Sequence, residues 1–258
     1  MATSARATAR RAGDHPVLAT GARLGYAANG VLNLVLAWLA LQLVLGGSGE
    51  STDQTGALRQ LAGTPIGGVL LWVVLAGFAL LALWQLTEAV SASGRDRLKP
   101  AAKAVVYAVL ATTAASVLQG SAGDGSEQAE GLTARVLQQP LGVWLVAAVG
   151  LAVVAVGLYH VHKGVRARFL RDLRTHPHSW VVRAGRVGYV ARGAALGVVG
   201  ALFVTAALNH DPERTGGLDE ALTTLLEAPA GAVLVAAVAV GFACYGVYSF
   251  ARARYAAV

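Results

Sequence analysis

The chain has 258 residues, of which 55% are apolar and only 14% charged, with a formal net charge of +7. Soluble globular proteins carry about 25% charged residues, so the composition excludes an ordinary soluble domain and points to the bilayer. The single cysteine, Cys244, excludes an intrachain disulfide.

In chain order, the first segment is MATSARATARRAGDHP, a basic stretch ahead of an apolar run. That is the pattern of a secretory signal, but the run that follows is longer than a signal core and lacks a clear small-residue cleavage site. Residues 1–21 are therefore expected to stay as a basic cytoplasmic tail. Hydropathy then predicts membrane helices near 24–45, 65–90, 101–119, 140–162, 188–208 and 229–251. Each is long enough for a hydrocarbon core about 30 Å thick, which needs about 20 helical residues. Arginine outnumbers lysine 18 to 3, a bias that suggests a GC-rich bacterial genome.

Helices two, four and six open alike, with TPIGG, QPLGV and APAGA. The shared markers are Pro65 and Gly67, Pro140 and Gly142, Pro229 and Gly231. Proline suits the first helical turn, where its missing N–H has no intrahelical partner. Nineteen residues past each proline stand the aromatics Trp84, Tyr159 and Tyr248, and twenty past it the polar Gln85, His160 and Ser249. Ahead of each proline lies a leucine-patterned segment: ALRQLA, LTARVL and ALTTLL. GYAANG at 25–30 returns as GYVARG at 188–193, and the middle copy has Pro100 where its sisters have Tyr26 and Tyr189. The chain thus reads as three copies of a two-helix unit. Repeat 1 covers 22–92, repeat 2 covers 97–167 and repeat 3 covers 185–255, with a basic cytoplasmic linker at 168–184. The expected fold is an all-α integral membrane protein, six transmembrane helices in three parallel hairpins with approximate threefold pseudo-symmetry.

Charge sets the expected orientation. Of 21 Lys and Arg residues, all but Arg59, Arg135 and Arg214 fall in the two termini, the 91–103 connection and the 162–192 segment. The other three loops hold ten of the fourteen acids, among them Glu50, Asp53, Asp124, Glu127 and Asp219. The positive-inside rule then places both termini in the cytoplasm of a bacterial plasma membrane.

The R-x-G-Y-x-x-x-G phrase, at Arg23 to Gly30 and Arg186 to Gly193, together with the Pro-x-Gly openings, resembles a family of bacterial membrane proteins known as domain of unknown function 1206. The resemblance spans about Ala22 to Tyr255 and implies six helices made from three copies, commonly in actinobacteria-like GC-rich genomes. It implies no activity. The middle copy departs from the phrase, keeping Arg97 and Tyr107 without the glycines.

The candidate binding residues are Gln85, His160 and Ser249. Each lies eighteen residues beyond a marker glycine, five turns along the same helix face. Polar groups in hydrocarbon tend to face a bundle interior, so the triplet is expected to ring the axis; the alternative is a position at the headgroup boundary beside an interfacial aromatic. Glu88, Lys163 and Arg252 follow and are expected to snorkel to water. His160 and His162 diverge by about 200° on a helix, and no carboxylate or cysteine completes a metal set with them or with His176 and His178. No metal and no cofactor are expected. In the segment 163–186, Val165, Phe169 and Leu173 recur every four residues among arginines, an amphipathic pattern suited to anionic lipid headgroups. Gly193, Gly197 and Gly200 favour close helix approach, and Asn29 and Asn33 can bond across helices. No nucleophile elbow, phosphate-binding glycine loop, zinc-protease motif or catalytic carboxylate pair is present, and nucleic acid is not an expected partner. The sequence therefore favours a structural or partner-binding membrane component over a channel or transporter along the pseudo-threefold axis.

Overall fold

A computed structural model describes residues 16–47, 50–65, 67–92, 97–123, 125–173 and 178–255. The tail through His15, and also Asp124 and His176, lie outside the described residues. Each repeat is a long helix, a short helix and a second long helix. Repeat 1 comprises α1 (Pro16–Val44), α2 (Gln54–Ala62) and α3 (Gly67–Ser91). Repeat 2 comprises α4 (Leu98–Leu118), α5 (Gly125–Leu137) and α6 (Gly142–Val165). Repeat 3 comprises α7 (Ser179–Asn209), α8 (Gly217–Glu227) and α9 (Gly231–Tyr255). All six long helices are long and apolar enough to cross a membrane. Their outward faces carry exposed Trp72, Trp144, Leu151, Val233 and Val240, as lipid-facing surfaces do.

The long helices pack in the order α4, α3, α1, α9, α7, α6, and the most extensive contact is α6 on α7. Three of these pairs join one repeat to the next (α3·α4, α6·α7 and α9·α1), while α1·α3 and α7·α9 lie within a repeat. The remaining hairpin, α4 and α6, has no comparable packing, so the arrangement is a horseshoe open along one seam.

The reason is legible residue by residue. Between repeats the backbones touch. A Cβ on Gly157 would stand 2.7 Å from the Gly193 carbonyl oxygen, and one on Gly246 would stand 2.9 Å from that of Gly30. Ala82 and Ala104 hold the equivalent registers on α3 and α4. Within repeats 1 and 3 the crossings rest on Gly25 beside Gly77 and on Gly188 beside Tyr245. In repeat 2 the register of Gly25 and Gly188 is taken by Lys99, and that of Gly77 and Gly241 by Ala152. A lysine in place of an interfacial glycine keeps two helices from close approach in lipid, where no hydrophobic force drives them together. Lys99, Ala152 and Val156 are accordingly exposed.

The leucine-patterned segments are the short helices. At this acidic end the three connections interlock. Arg59 Nη2 donates to the Ala122 carbonyl at 2.6 Å, Ser126 Oγ to that of Gly216 at 2.8 Å, and the Thr52 amide to Asp219 Oδ1 at 2.5 Å. Leu39, Ala40, Ala57, Leu58 and Leu222 are buried here.

The Pro-x-Gly motif is a turn rather than a first helical turn. The Gly67, Gly142 and Gly231 amides donate to the carbonyls of Thr64, Gln139 and Ala228, so each proline takes the second turn position, which its fixed φ suits. A Cβ on Gly142 would run into the Val136 carbonyl at the end of α5. Gly142→Ala is expected to destabilise the fold by ~1–3 kcal/mol through overpacking. Gly68→Ala, which faces open space, should leave it unchanged or slightly firmer. Thermal unfolding of both variants in detergent checks the contrast.

Three features differ from expectation. Helix α1 starts at Pro16, within the stretch expected to be a tail. Helix α7 starts at Ser179, well before residue 188, which shortens the linker. The described start of the linker is no continuous α-helix: Ala167 has φ 49, and residues Arg168–Asp172 form a 3-10 turn. That left-handed residue reverses the chain and drives Phe169 into the bundle while Val165 stays exposed.

Candidate functional site

The interior of the basic half collects aromatic and cationic side chains from five helices. Tyr26 on α1, Tyr189 on α7, and Tyr245 and Tyr248 on α9 are buried, and Tyr107 on α4 is half-buried. Phe169 is 0% exposed and stacks on Tyr189 with centroids 5.3 Å apart; Tyr248 meets Phe169 edge-on at 5.0 Å. The Tyr248 hydroxyl donates to the Phe169 carbonyl at 3.4 Å. Such ring pairs contribute about 0.5–1.5 kcal/mol beyond area burial, so this stack ties the start of the linker to α7 and α9.

Three cations sit on these rings. The Arg252 guanidinium lies 4.3 Å from the Tyr26 centroid, with Nη2 donating to the Tyr26 hydroxyl at 3.4 Å. Arg192 lies 4.8 Å from the Tyr245 centroid, and Lys163 Nζ 5.2 Å from that of Tyr189. Tyr107 is within electrostatic reach of both Arg192 and Arg252. Arg252 over Tyr26 and Lys163 over Tyr189 are the same pair by register, made at α9·α1 and again at α6·α7. At α3·α4 the corresponding residues are Glu88 and Pro100, and Glu88 is exposed. Lys163 and Arg252, expected to snorkel to water, are half-buried and lie over ring faces. Ring faces attract a desolvated cation by about 2 kcal/mol or more, and the helix ends hold those faces within reach.

The sequence-derived triplet lies one turn deeper. Ser249 is 2% exposed at α9·α1, where Oγ donates to the Tyr245 carbonyl at 2.9 Å and accepts from Asn29 Nδ2 at 3.3 Å. His160 is half-buried at α6·α7, with Nδ1 2.8 Å from the Val156 carbonyl oxygen and its ring 5.8 Å from that of Tyr189. Gln85 on α3 is 1% exposed, and its Oε1 has no hydrogen-bond partner. Among the described residues, no hydrogen bond joins the three to one another. Asn29 does bond across helices, whereas Asn33 donates to Asn29 within α1. Gly193 and Gly200 face Gly157 and Gly150, but a Cβ on Gly197 would meet open space. Among the described residues no three His, Cys, Asp or Glu side chains gather as a metal site would require.

In the sequence Tyr26, Tyr107, Tyr189 and Tyr248 stood out only as repeat markers and Phe169 only as part of the linker pattern, not as parts of one cluster. The usable signal was register: Tyr26 with Tyr189, and Lys163 with Arg252, recur at matched positions in different repeats.

No solved structure matches this chain. It is similar to the uncharacterized protein YxxB of Bacillus subtilis (strain 168), with 30% identity over 247 residues, covering 90% of this chain and 89% of that protein. The pattern of one family matches three times, over residues 24–92, 98–167 and 187–256, one match for each repeat. With each copy a long, a short and a long helix, and six helices long and apolar enough to cross a membrane, the chain belongs to the Domain of Unknown Function (DUF1206) family.

Proposed function

We propose that this protein is a binding component of the membrane, whose ligand enters the basic half of the bundle sideways from the bilayer through the α4/α6 seam. The carrying observation is the failure of that one hairpin to close, opposite a cluster of cations and tyrosines. Packed leucines and interlocked connections at the acidic end favour binding over conduction, since a path along the axis would need an exit there. In this reading Gln85, His160 and Ser249 mark the depth at which the interior turns from apolar to cationic. The basic end faces the cytoplasm of a bacterial plasma membrane, as its charge favours. Anionic headgroups of the surrounding lipid meet the end of the linker at a cleft of about 430 Å³ lined by His178, Trp180, Arg254 and Tyr255.

A single cysteine at Tyr107, on a Cys244→Ala background, tests the seam in native membranes. Modification by a lipid-soluble maleimide, with a membrane-impermeant reagent excluded from the acidic side, is the expected result. Labelling by the impermeant reagent from both sides would instead indicate a water-filled conduit. Protection from both reagents would mean that the seam is shut.

A further inference from the structure

Resting on the reading that the basic end lies at the headgroup layer, we propose that the cleft between the start of α7 and the end of α9 holds one anionic phospholipid, its phosphate on Arg254 and the upper part of its acyl chains along Val247 and Phe250.

Space and depth are the first reason. The cleft has a volume of about 430 Å³, and ligand sites span about 300–1,000 Å³. Val247 and Phe250 line it below, and His178, Trp180, Arg254 and Tyr255 line it above. Val247 and Phe250 precede Arg254 by two turns and by one turn, so all three share a face of α9. At 1.5 Å per residue they lie about 10 Å and about 6 Å deeper in the apolar layer than Arg254. That face is turned away from Tyr245 and Arg252, so the cleft opens on the outside of the bundle, where Val247 and Phe250 are each 38% exposed. A lipid can reach it without passing through the protein.

Charge is the second reason. Arg254 is exposed, and its guanidinium lies 5.8 Å from the Tyr255 ring centroid. Planar guanidinium forks match phosphate oxygens. His178 immediately precedes α7, and the first amides of a helix lack intrahelical partners while its dipole favours an anion. The rings of Trp180 and Tyr255 would also suit an ammonium head. Arg254 already lies over one of them, so the cation of the site belongs to the protein and the charge of the ligand is negative. An apolar lower half favours a phosphate that carries chains over a free phosphate.

Repeat 1 supplies an internal comparison. Its α1 and α3 cross at Gly25 and Gly77, as α7 and α9 cross at Gly188 and Tyr245. In register, however, Val17, Val90 and Ser91 stand where repeat 3 has Trp180, Arg254 and Tyr255. Two related helix pairs thus share a crossing and differ in three residues that suit a headgroup.

Full-length protein in neutral detergent, examined by native mass spectrometry with phosphatidylglycerol and phosphatidylcholine of identical chains, tests this. One phosphatidylglycerol should be retained per chain, about tenfold more tightly than phosphatidylcholine, the scale of one charge-assisted hydrogen bond. Arg254→Gln should remove most of that preference. Arg183→Gln, which neutralises an exposed cation of α7 outside the cleft, should leave it intact. Val247→Trp, which fills the lower half from an exposed position, should weaken phosphatidylglycerol retention with Arg254 still in place. Equal retention of the two lipids, equal losses for Arg183→Gln and Arg254→Gln, or displacement by water-soluble glycerophosphate would each overturn the inference, the last assigning the cleft to a soluble anion. The position of the basic end is judged apart, by labelling an Arg183→Cys variant on the Cys244→Ala background with the impermeant reagent from the basic side alone. That labelling can succeed where the lipid preference is absent, and the seam plays no part in either.

Discussion

Gly157→Leu should prevent recovery of a folded, monodisperse protein, or lower its thermal midpoint further than any other single change at a helix crossing. Its hypothetical Cβ already stands 2.7 Å from the Gly193 carbonyl oxygen and 3.0 Å from the Gly197 amide nitrogen. Leucine adds three more carbons against backbone that cannot rotate away, so α6 and α7 must separate. Overpacking a core costs ~1–3 kcal/mol where side chains can adjust. Here the neighbours are main chain, so the loss belongs at or above the top of that range. Ala152→Leu on the same helix is the control: it adds bulk at an exposed position in the open seam and should leave the stability within about 0.5 kcal/mol of wild type. Comparable losses for both variants, in detergent melts followed by size-exclusion chromatography, would show that the backbone crossing is not what limits stability.

Phe169→Ala should cost about 3–5 kcal/mol, the range for truncating a fully buried aromatic. The ring contacts Tyr189 and Tyr248, and a Cβ on Gly185 would stand 2.6 Å from its edge, so three residues beyond the linker close around it. Val165→Ala, four residues earlier and exposed, should change little. If the linker instead lay on the membrane surface as an amphipathic helix, the two truncations would have similar, small effects on unfolding and similar effects on liposome binding. Circular dichroism melts of both variants, paired with vesicle flotation, separate the alternatives.

Much of the architecture was readable because the bilayer imposes a length. Six runs of about 20 apolar residues and three Pro-x-Gly phrases located the long helices to within a few residues, except at the starts of α1 at Pro16 and α7 at Ser179. The second of these lies where Arg183 and Arg186 made helix resemble linker; a helix that continues beyond the apolar layer keeps its hydrogen bonds while its side chains turn polar. The linker misled for a related reason. A repeat of Val165, Phe169 and Leu173 every four residues is an amphipathic pattern only if the backbone stays helical, and Ala167 at φ 49 breaks it. Of the site, the register of Gln85, His160 and Ser249 was legible and the cations behind them were counted. Their placement on tyrosine rings was not, because Arg252 and Tyr26 belong to different repeats and meet through a contact that closes the chain's two ends together. Hydropathy describes what each helix shows to lipid, not which helix it chooses as a neighbour.

The interlocking of repeats has a consequence for how this chain can be cut. The tightest helix pairs, α3·α4, α6·α7 and α9·α1, each straddle a boundary between copies, so the unit that recurs in the sequence is not the unit that holds together. An isolated copy would be left with its best surfaces bare, and the middle copy, whose own helices do not pack, would be the least able to stand alone. A circularly permuted chain, with Pro16 and Tyr255 joined by a linker and new ends in the turn at 119–123, would place each tight pair consecutively along the polypeptide. Its break would fall in the one hairpin whose long helices are already apart.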